Sequence, residues 1–165
     1  MPESDPNVII RRANQADLPA LGKLGASLLR LHHGLDPDRF MAPPVDPEAG
    51  YKWFLGTQLK EADAAVFVAE RDGAVIGYVY AALEPRSWKE LRDEAGFIHD
   101  VVVAEEARRL GIASTLIDKA CEWLRSIDAP RVVLWTAEKN EGAQQLFTRV
   151  GFRRTMIEMT RELDF

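Results

Sequence analysis

The sequence predicts a single mixed α/β domain, a central mixed sheet flanked by helices, and three observations carry that expectation. Strand-like runs rich in Val, Ile and Phe alternate with amphipathic helical segments in the order β-α-α-β-β-β-α-β-α-β. The chain has 165 residues, the size of one ordinary domain, with no internal repeat and no Pro/Ser-rich linker. It is 47% hydrophobic, enough to bury a full core without a disulfide or metal staple.

The elements follow in order. VIIRRA (8–13) reads as the first strand. In NQADLPALGKLGASLLRLHH, Leu18, Leu21, Leu24, Leu28 and Leu31 recur at three- and four-residue spacing, the mark of an amphipathic helix, and Asp17 stands near its N-terminus. GLDPDRFMAPPVDPEAG (34–50) holds four prolines and two glycines and is expected to be a loop, long enough to be functional. YKWFLGTQLKEA (51–62) is a second helix. AAVFVAERDGAVIGYVYAALE (64–84) is two strand-like runs around Arg-Asp-Gly, a hairpin signal. AGFIHDVVV (95–103) is the fourth strand, and the helix after it runs to about Ile127, with Leu116, Ile117, Ala120, Cys121 and Leu124 on one face. RVVLWTA (131–137) is the fifth strand, EGAQQLFTRV (141–150) a short helix closed by Gly151, and FRRTMIEMTREL (152–163) a last strand.

Composition excludes several functions. A net charge of −5 argues against nucleic-acid binding, which normally needs a basic face. No apolar run approaches the ~20 residues that span a membrane. MPESDPN lacks the basic and apolar regions of a signal peptide, so residues 1–7 are expected to be a flexible tail and the protein cytoplasmic. One cysteine, Cys121, leaves no intrachain disulfide and no Cys-rich metal site. His32, His33 and Asp36 have poor ligand spacing, since adjacent helical residues point in different directions, and no metal is expected. Trp53, Trp88, Trp123 and Trp135 have no assignment from sequence.

The most informative stretch is VVVAEEARRLGIAS, residues 101–114. A buried strand gives way to a helix through a lone glycine. Gly111 admits backbone angles that side-chained residues avoid and lets a ligand approach closely. The helix behind it presents unpaired N–H groups and the positive end of its dipole, an arrangement suited to phosphate. Ala113 and Ser114 are small, and Arg108 and Arg109 can add charge-assisted hydrogen bonds. The Lys of a P-loop is missing, and so is the Gly-x-Gly-x-x-Gly of a dinucleotide site.

This stretch resembles the cofactor-binding segment of the GNAT superfamily of N-acetyltransferases, Gln/Arg-x-x-Gly-x-Gly/Ala, with Arg108, Gly111 and Ala113 in place. NEGAQQLFTRVGF resembles the family's Asn-x-x-Ala-x-x-Leu-Tyr-x-x-x-Gly-Phe segment through Asn140, Ala143, Leu146, Gly151 and Phe152. IRRANQADLPAL resembles its first strand and helix. The resemblance implies one N-acetyltransferase domain over residues 8–165, with a mixed sheet splayed between its fourth and fifth strands. It implies acetyl-CoA as cosubstrate, with pyrophosphate on the amides of Arg108, Arg109, Leu110, Gly111, Ile112, Ala113 and Ser114. The pantetheine arm would pair with Val101, Val102 and Val103. Asn140 and Ala143 would lie beside the arm, Phe147 near the thioester, and Arg149 within reach of the phosphates. Many members pair through their C-terminal strands, which implies a homodimer. The acceptor would be a primary amine of a small molecule, peptide or protein. A non-catalytic acyl-CoA-binding module is the alternative.

The implied reaction is attack of an amine on the thioester. A protonated alkyl amine, with pKa near ~10.4, is not nucleophilic, so a base must take a proton. A main-chain N–H near Val103 would stabilise the oxyanion. Family members often carry a carboxylate base on the fourth strand. His99 stands at that position here, Asp100 follows it, and Glu84 at the end of the third strand is a further candidate. Alternation puts His99 and Asp100 on opposite faces unless a bulge turns one of them. Phe147 replaces the family's frequent Tyr, the proposed acid, and leaves the acid unassigned.

Overall fold

The second and third strands are joined by the tightest turn in the chain, and the rest of the domain is built on them. In the computed structural model, which describes residues 5–164, β1 is Val8–Arg12, β2 Ala64–Arg71, β3 Ala74–Glu84, β4 Ala95–Val103 and β5 Val132–Leu134. The helices are α1, Leu18–Leu35; α2, Pro47–Gln58; α3, Ile112–Ser126; and α4, Glu141–Arg149. Asp72 and Gly73 both take positive φ, 52° and 80°, the two-residue geometry that matches strand twist and closes the β2–β3 hairpin. The sheet order is β1-β2-β3-β4-β5, antiparallel throughout except for the parallel pair β4–β5.

Both faces of the sheet are covered, which is why β2 and β3 are apolar at almost every position rather than at alternate ones. Ala65, Phe67, Ala69, Val79, Ala81 and Ile98 pack under α3, against Leu116, Ile117, Ala120 and Leu124. Val66, Val68, Tyr78, Tyr80 and Val102 pack on the other face, against Leu18 and Leu21 of α1 and Leu55 of α2. Leu21, Leu55, Leu116 and Leu124 are fully buried, each worth about 1.5–3 kcal/mol. Helices α1 and α2 lie close because Gly25 has no side chain: a Cβ there would overlap the ring of Tyr51.

Asp17 stands at the N-terminus of the first helix, as expected. Asn14 caps a 3-10 turn, Gln15–Asp17, before α1 starts, and Asp17 is buried as an acceptor. Its carboxylate takes two hydrogen bonds from Arg11, at 2.8 and 2.9 Å, and one from the Asn14 N–H at 2.8 Å. The Arg11 guanidinium holds it below the usual carboxylate range. The proline-rich loop is shorter than expected, because α1 runs on to Leu35 and α2 starts at Pro47, capped by Asp46. Of the expected tail 1–7, residues 1–4 lie outside the described residues, and Asp5–Asn7 form a turn beside Arg71.

The expected last strand is absent. Residues 152–164 form no ladder, although their apolar and polar residues alternate. Alternation makes a segment fit to pair, but a strand exists only where an edge receives it. The segment is held elsewhere: Arg154 donates to Gln144 on α4 at 2.7 Å, and Arg39 pairs with Glu158. The fifth strand is likewise three residues instead of seven.

Candidate active site

Strands β4 and β5 are in register only from Gly96 with Val132 to Ile98 with Leu134. Beyond Ile98 they part. From His99 to Val103 the β4 edge facing β5 has no strand partner. Such an edge leaves main-chain N–H and C=O groups for a ligand that can pair like a strand. Val101, Val102 and Val103 lie along it.

At the end of β4 the chain makes a 3-10 turn, Glu105–Ala107, and enters α3 through Arg109 and Gly111, both left-handed at φ 67° and 74°. Gly111 is the N-cap of α3 and has no side chain with which to cap it. The N–H groups of Ile112, Ala113 and Ser114 therefore precede the first helical hydrogen bond, Thr115 N to Gly111 O at 3.1 Å, and no side chain satisfies them. Buried Ile112 anchors the helix start, while Leu110 and both arginines are exposed. Arg108 Nε donates to Val103 O at 3.3 Å, tying this loop to the end of β4. A helix N-terminus with free amides and two neighbouring arginines is an arrangement that suits an anion.

The face turned toward α1 and α2 carries the titratable groups. Tyr80 of β3 stands opposite Asp100, but Ala81 stands opposite Ile98, so His99 is the extra residue of a β-bulge. The bulge breaks the alternation. His99 meets the ring of Tyr80, centroids 5.0 Å apart, and Asp100 accepts a 2.9 Å hydrogen bond from the Tyr78 hydroxyl, so both point to the α1–α2 side. Placement on opposite faces, which holds for an unbroken strand, does not apply here. His99 Nε2 lies 2.9 Å from Glu84 Oε1. An ionised carboxylate only accepts, so Nε2 is the donor to it, and in the neutral imidazole Nδ1 then keeps its lone pair. Burial pushes the Asp100 carboxyl up, against the opposing pull of the Tyr78 hydrogen bond and of His99 and His32. Burial and the nearby Glu84 push Tyr80 up to about 12, and its hydroxyl donates to Gln58 at 2.7 Å.

The α4 residues are placed as follows. Asn140 Oδ1 accepts from the Ala143 N–H at 3.2 Å, capping α4. Phe147 is half-buried against the α3-side core and Phe152, ring centroids 6.1 Å apart. Arg149 is exposed on the last turn. His32 Nδ1 is 2.8 Å from Leu28 O, and His33 Nδ1 is 3.2 Å from Phe40 O. Reading the sequence did not single out Tyr78 and Tyr80. The two tyrosines are two residues apart on one strand, so their shared face was readable; what they face was not.

Residues 27–152 match the model of the Acetyltransferase (GNAT) family. An N-alpha-acetyltransferase of Sulfurisphaera tokodaii is 32% identical over 119 residues, covering 67% of this chain and 70% of that protein. An uncharacterized N-acetyltransferase of Archaeoglobus fulgidus is 29% identical over 147 residues, covering 88% and 92%. Among solved structures, an aminoglycoside N-acetyltransferase in complex with CoA superposes with a TM-score of 0.75 at 19% identity, covering 99% of each chain. The chain belongs to the GNAT acetyltransferase family, and it is an enzyme that moves an acetyl group from acetyl-CoA to an amine.

Proposed function

We propose that His99, oriented by Glu84, is the base that prepares the acceptor amine. The observation that carries this reading is the His99–Glu84 pair, 2.9 Å apart, at the point where β4 and β5 part. The amine nitrogen attacks the thioester carbon and a proton passes to His99 Nδ1. The tetrahedral intermediate then collapses, the C–S bond breaks, and the thiolate leaves. A thiol has a pKa near ~8.5, so water suffices to protonate it and the Phe147 position needs no acid. Asp100, tied to Tyr78 beside this pair, serves as a positioning group. The amides from Gly111 to Ser114, with Arg108 and Arg109, receive the pyrophosphate, and Val101–Val103 receive the pantetheine arm. Asn140 and Ala143 flank that arm, and Arg149 stands toward the phosphates. The acceptor is a primary amine of a small molecule or a peptide; the likeness to an N-alpha-acetyltransferase supports the peptide α-amine. The compartment assigned is the cytoplasm, where acetyl-CoA is supplied. No helix among the described residues is long and apolar enough to cross a membrane.

The test is His99→Ala. Loss of a general base typically costs ~10²–10⁴ in rate. The variant is expected to lose at least a hundredfold in kcat, with acetyl-CoA affinity by calorimetry within twofold of wild type. Full retention of kcat overturns the assignment.

Assembly as a homodimer belongs to the same reading. β5 is an edge strand with one side open, and residues 153–163 are a strand-patterned segment with no edge of their own. Met156, Ile157, Met159 and Leu163 of that segment are 71–88% exposed. Its side-chain contacts are to Gln144 and Arg39. A second copy supplies both what the edge lacks and what the segment lacks.

A further inference from the structure

Trp135 is a large apolar side chain left 72% exposed, and its position is the reason to ask why. It follows β5 directly. The parallel register ends with Ile98 opposite Leu134, so Trp135 stands level with His99, across the gap where the strands part. Its ring meets Phe97 edge-on, centroids 6.1 Å apart at 87°, and Phe97 stacks on His99 at 5.5 Å and 16°. Trp135, Phe97 and His99 thus form one continuous run of rings that reaches the His99–Glu84 pair and continues to Tyr80. Phe97 and Tyr80 are buried, so Trp135 and His99 are the rings of this run that an incoming molecule meets. A flat exposed ring beside a reactive centre buries another flat apolar surface at little entropic cost, in stacked or edge-to-face contact. Glu84, 2.9 Å from His99, places a carboxyl group on the same side, where an ammonium enters.

We propose that Trp135 is the acceptor-binding platform, and that the acceptor it selects is a primary amine carried a few atoms from an aromatic group. The aromatic body lies on Trp135 and the amine reaches His99. The proposal rests on the reading of the His99 centre, and the experiment separates the two.

Steady-state rates at saturating acetyl-CoA are measured for a phenyl-ethyl primary amine, an n-alkyl primary amine of matched length and a linear triamine. The arylalkyl amine is expected to exceed the n-alkyl amine at least tenfold in kcat/KM. Trp135→Ala is expected to erase that preference, chiefly through KM, with acetyl-CoA affinity unchanged, and Trp135→Phe is expected to keep part of it. Calorimetry of the arylalkyl amine with the CoA-loaded protein is run in parallel. Binding is expected to survive His99→Ala and to be lost in Trp135→Ala. Equal rates for the two monoamines, a preference that survives Trp135→Ala, or absence of arylalkyl binding overturns the platform. A triamine favoured over the aromatic amine and dependent on Trp135 also overturns it, in favour of a cation site. If His99→Ala leaves turnover intact while Trp135→Ala still erases the preference, the base assignment fails and the platform stands.

Discussion

Gly111 takes φ 74° at the N-cap of α3, a left-handed position that Asn tolerates and β-branched residues do not. Gly111→Asn therefore tests the approach of the pyrophosphate without straining the backbone. Acetyl-CoA affinity by calorimetry is expected to fall at least tenfold, with the melting temperature within about 3 °C of wild type, a shift of about 1 kcal/mol for a domain of this size. Unchanged affinity places the phosphates elsewhere. At Phe147 the expectation is the opposite, near-neutrality. Its ring packs on Phe152 and the α3-side core, and a thiolate is a good leaving group near pH 7. Phe147→Tyr is expected to change turnover less than tenfold from pH 6 to 9. A tenfold gain, about 1.4 kcal/mol of barrier, would show that the missing acid limits the reaction. The cofactor loop was legible in the sequence because its chemistry is local: a glycine, free amides and two arginines within a few residues. The His99–Glu84 pair was only half legible. Both residues were candidates, but their meeting depends on how β4 registers against β3, and the bulge that brings Asp100 to the same face reverses every side chain beyond it.

At the scale of elements, the Asp17 network ties the end of β1 to the start of α1. Arg11 reaches Asp17 and also Glu70 on β2, at 2.7 Å, so three elements meet at one guanidinium. The Asp17 carboxyl titrates below its ordinary value in the folded state, so its ionised form favours folding. That stabilisation is fully present above the unfolded carboxylate range near ~3.9 and is lost as pH falls through the lower folded value. Asp17→Asn is expected to cost about 2 kcal/mol at pH 7, because a buried charge-assisted acceptor is removed, and to flatten the acid limb of stability below pH 5. Equal midpoints of urea unfolding for variant and wild type at pH 7 would contradict it. The sequence placed Asp17 near a helix start but could not show its partner, since Arg11 belongs to a strand. The hairpin was readable from Asp72-Gly73 alone, as local turn chemistry usually is. The segment 152–163 shows the limit of pattern reading: alternation specifies which side of a strand is apolar and says nothing about which edge will hold it.

The whole molecule carries one mismatch, and it leads to a prediction about assembly. On an extended chain Ile157, Met159 and Leu163 share one side, and all three are exposed. Solvated apolar side chains beside an open strand edge are a liability in a monomer, because both invite pairing with another chain. A two-fold exchange, in which each copy lays this segment on the partner's β5, removes both faults at once and closes without forming a fibre. Six such side chains buried at about 1.5–3 kcal/mol each give roughly 9–18 kcal/mol. The association itself costs about 4–15 kcal/mol. The two ranges overlap, so apolar burial offsets the cost of association and the added ladder hydrogen bonds tip the balance toward a dimer. Light scattering is expected to give twice the 18.5 kDa chain mass for the wild type. The double variant Ile157→Asp, Met159→Asp is expected to give one chain mass, while acetyl-CoA still binds, since neither residue lies on the α3 loop or the free β4 edge. A wild type that runs as a monomer would refute the exchange, and a dimer that survives the double substitution would place the interface on another face.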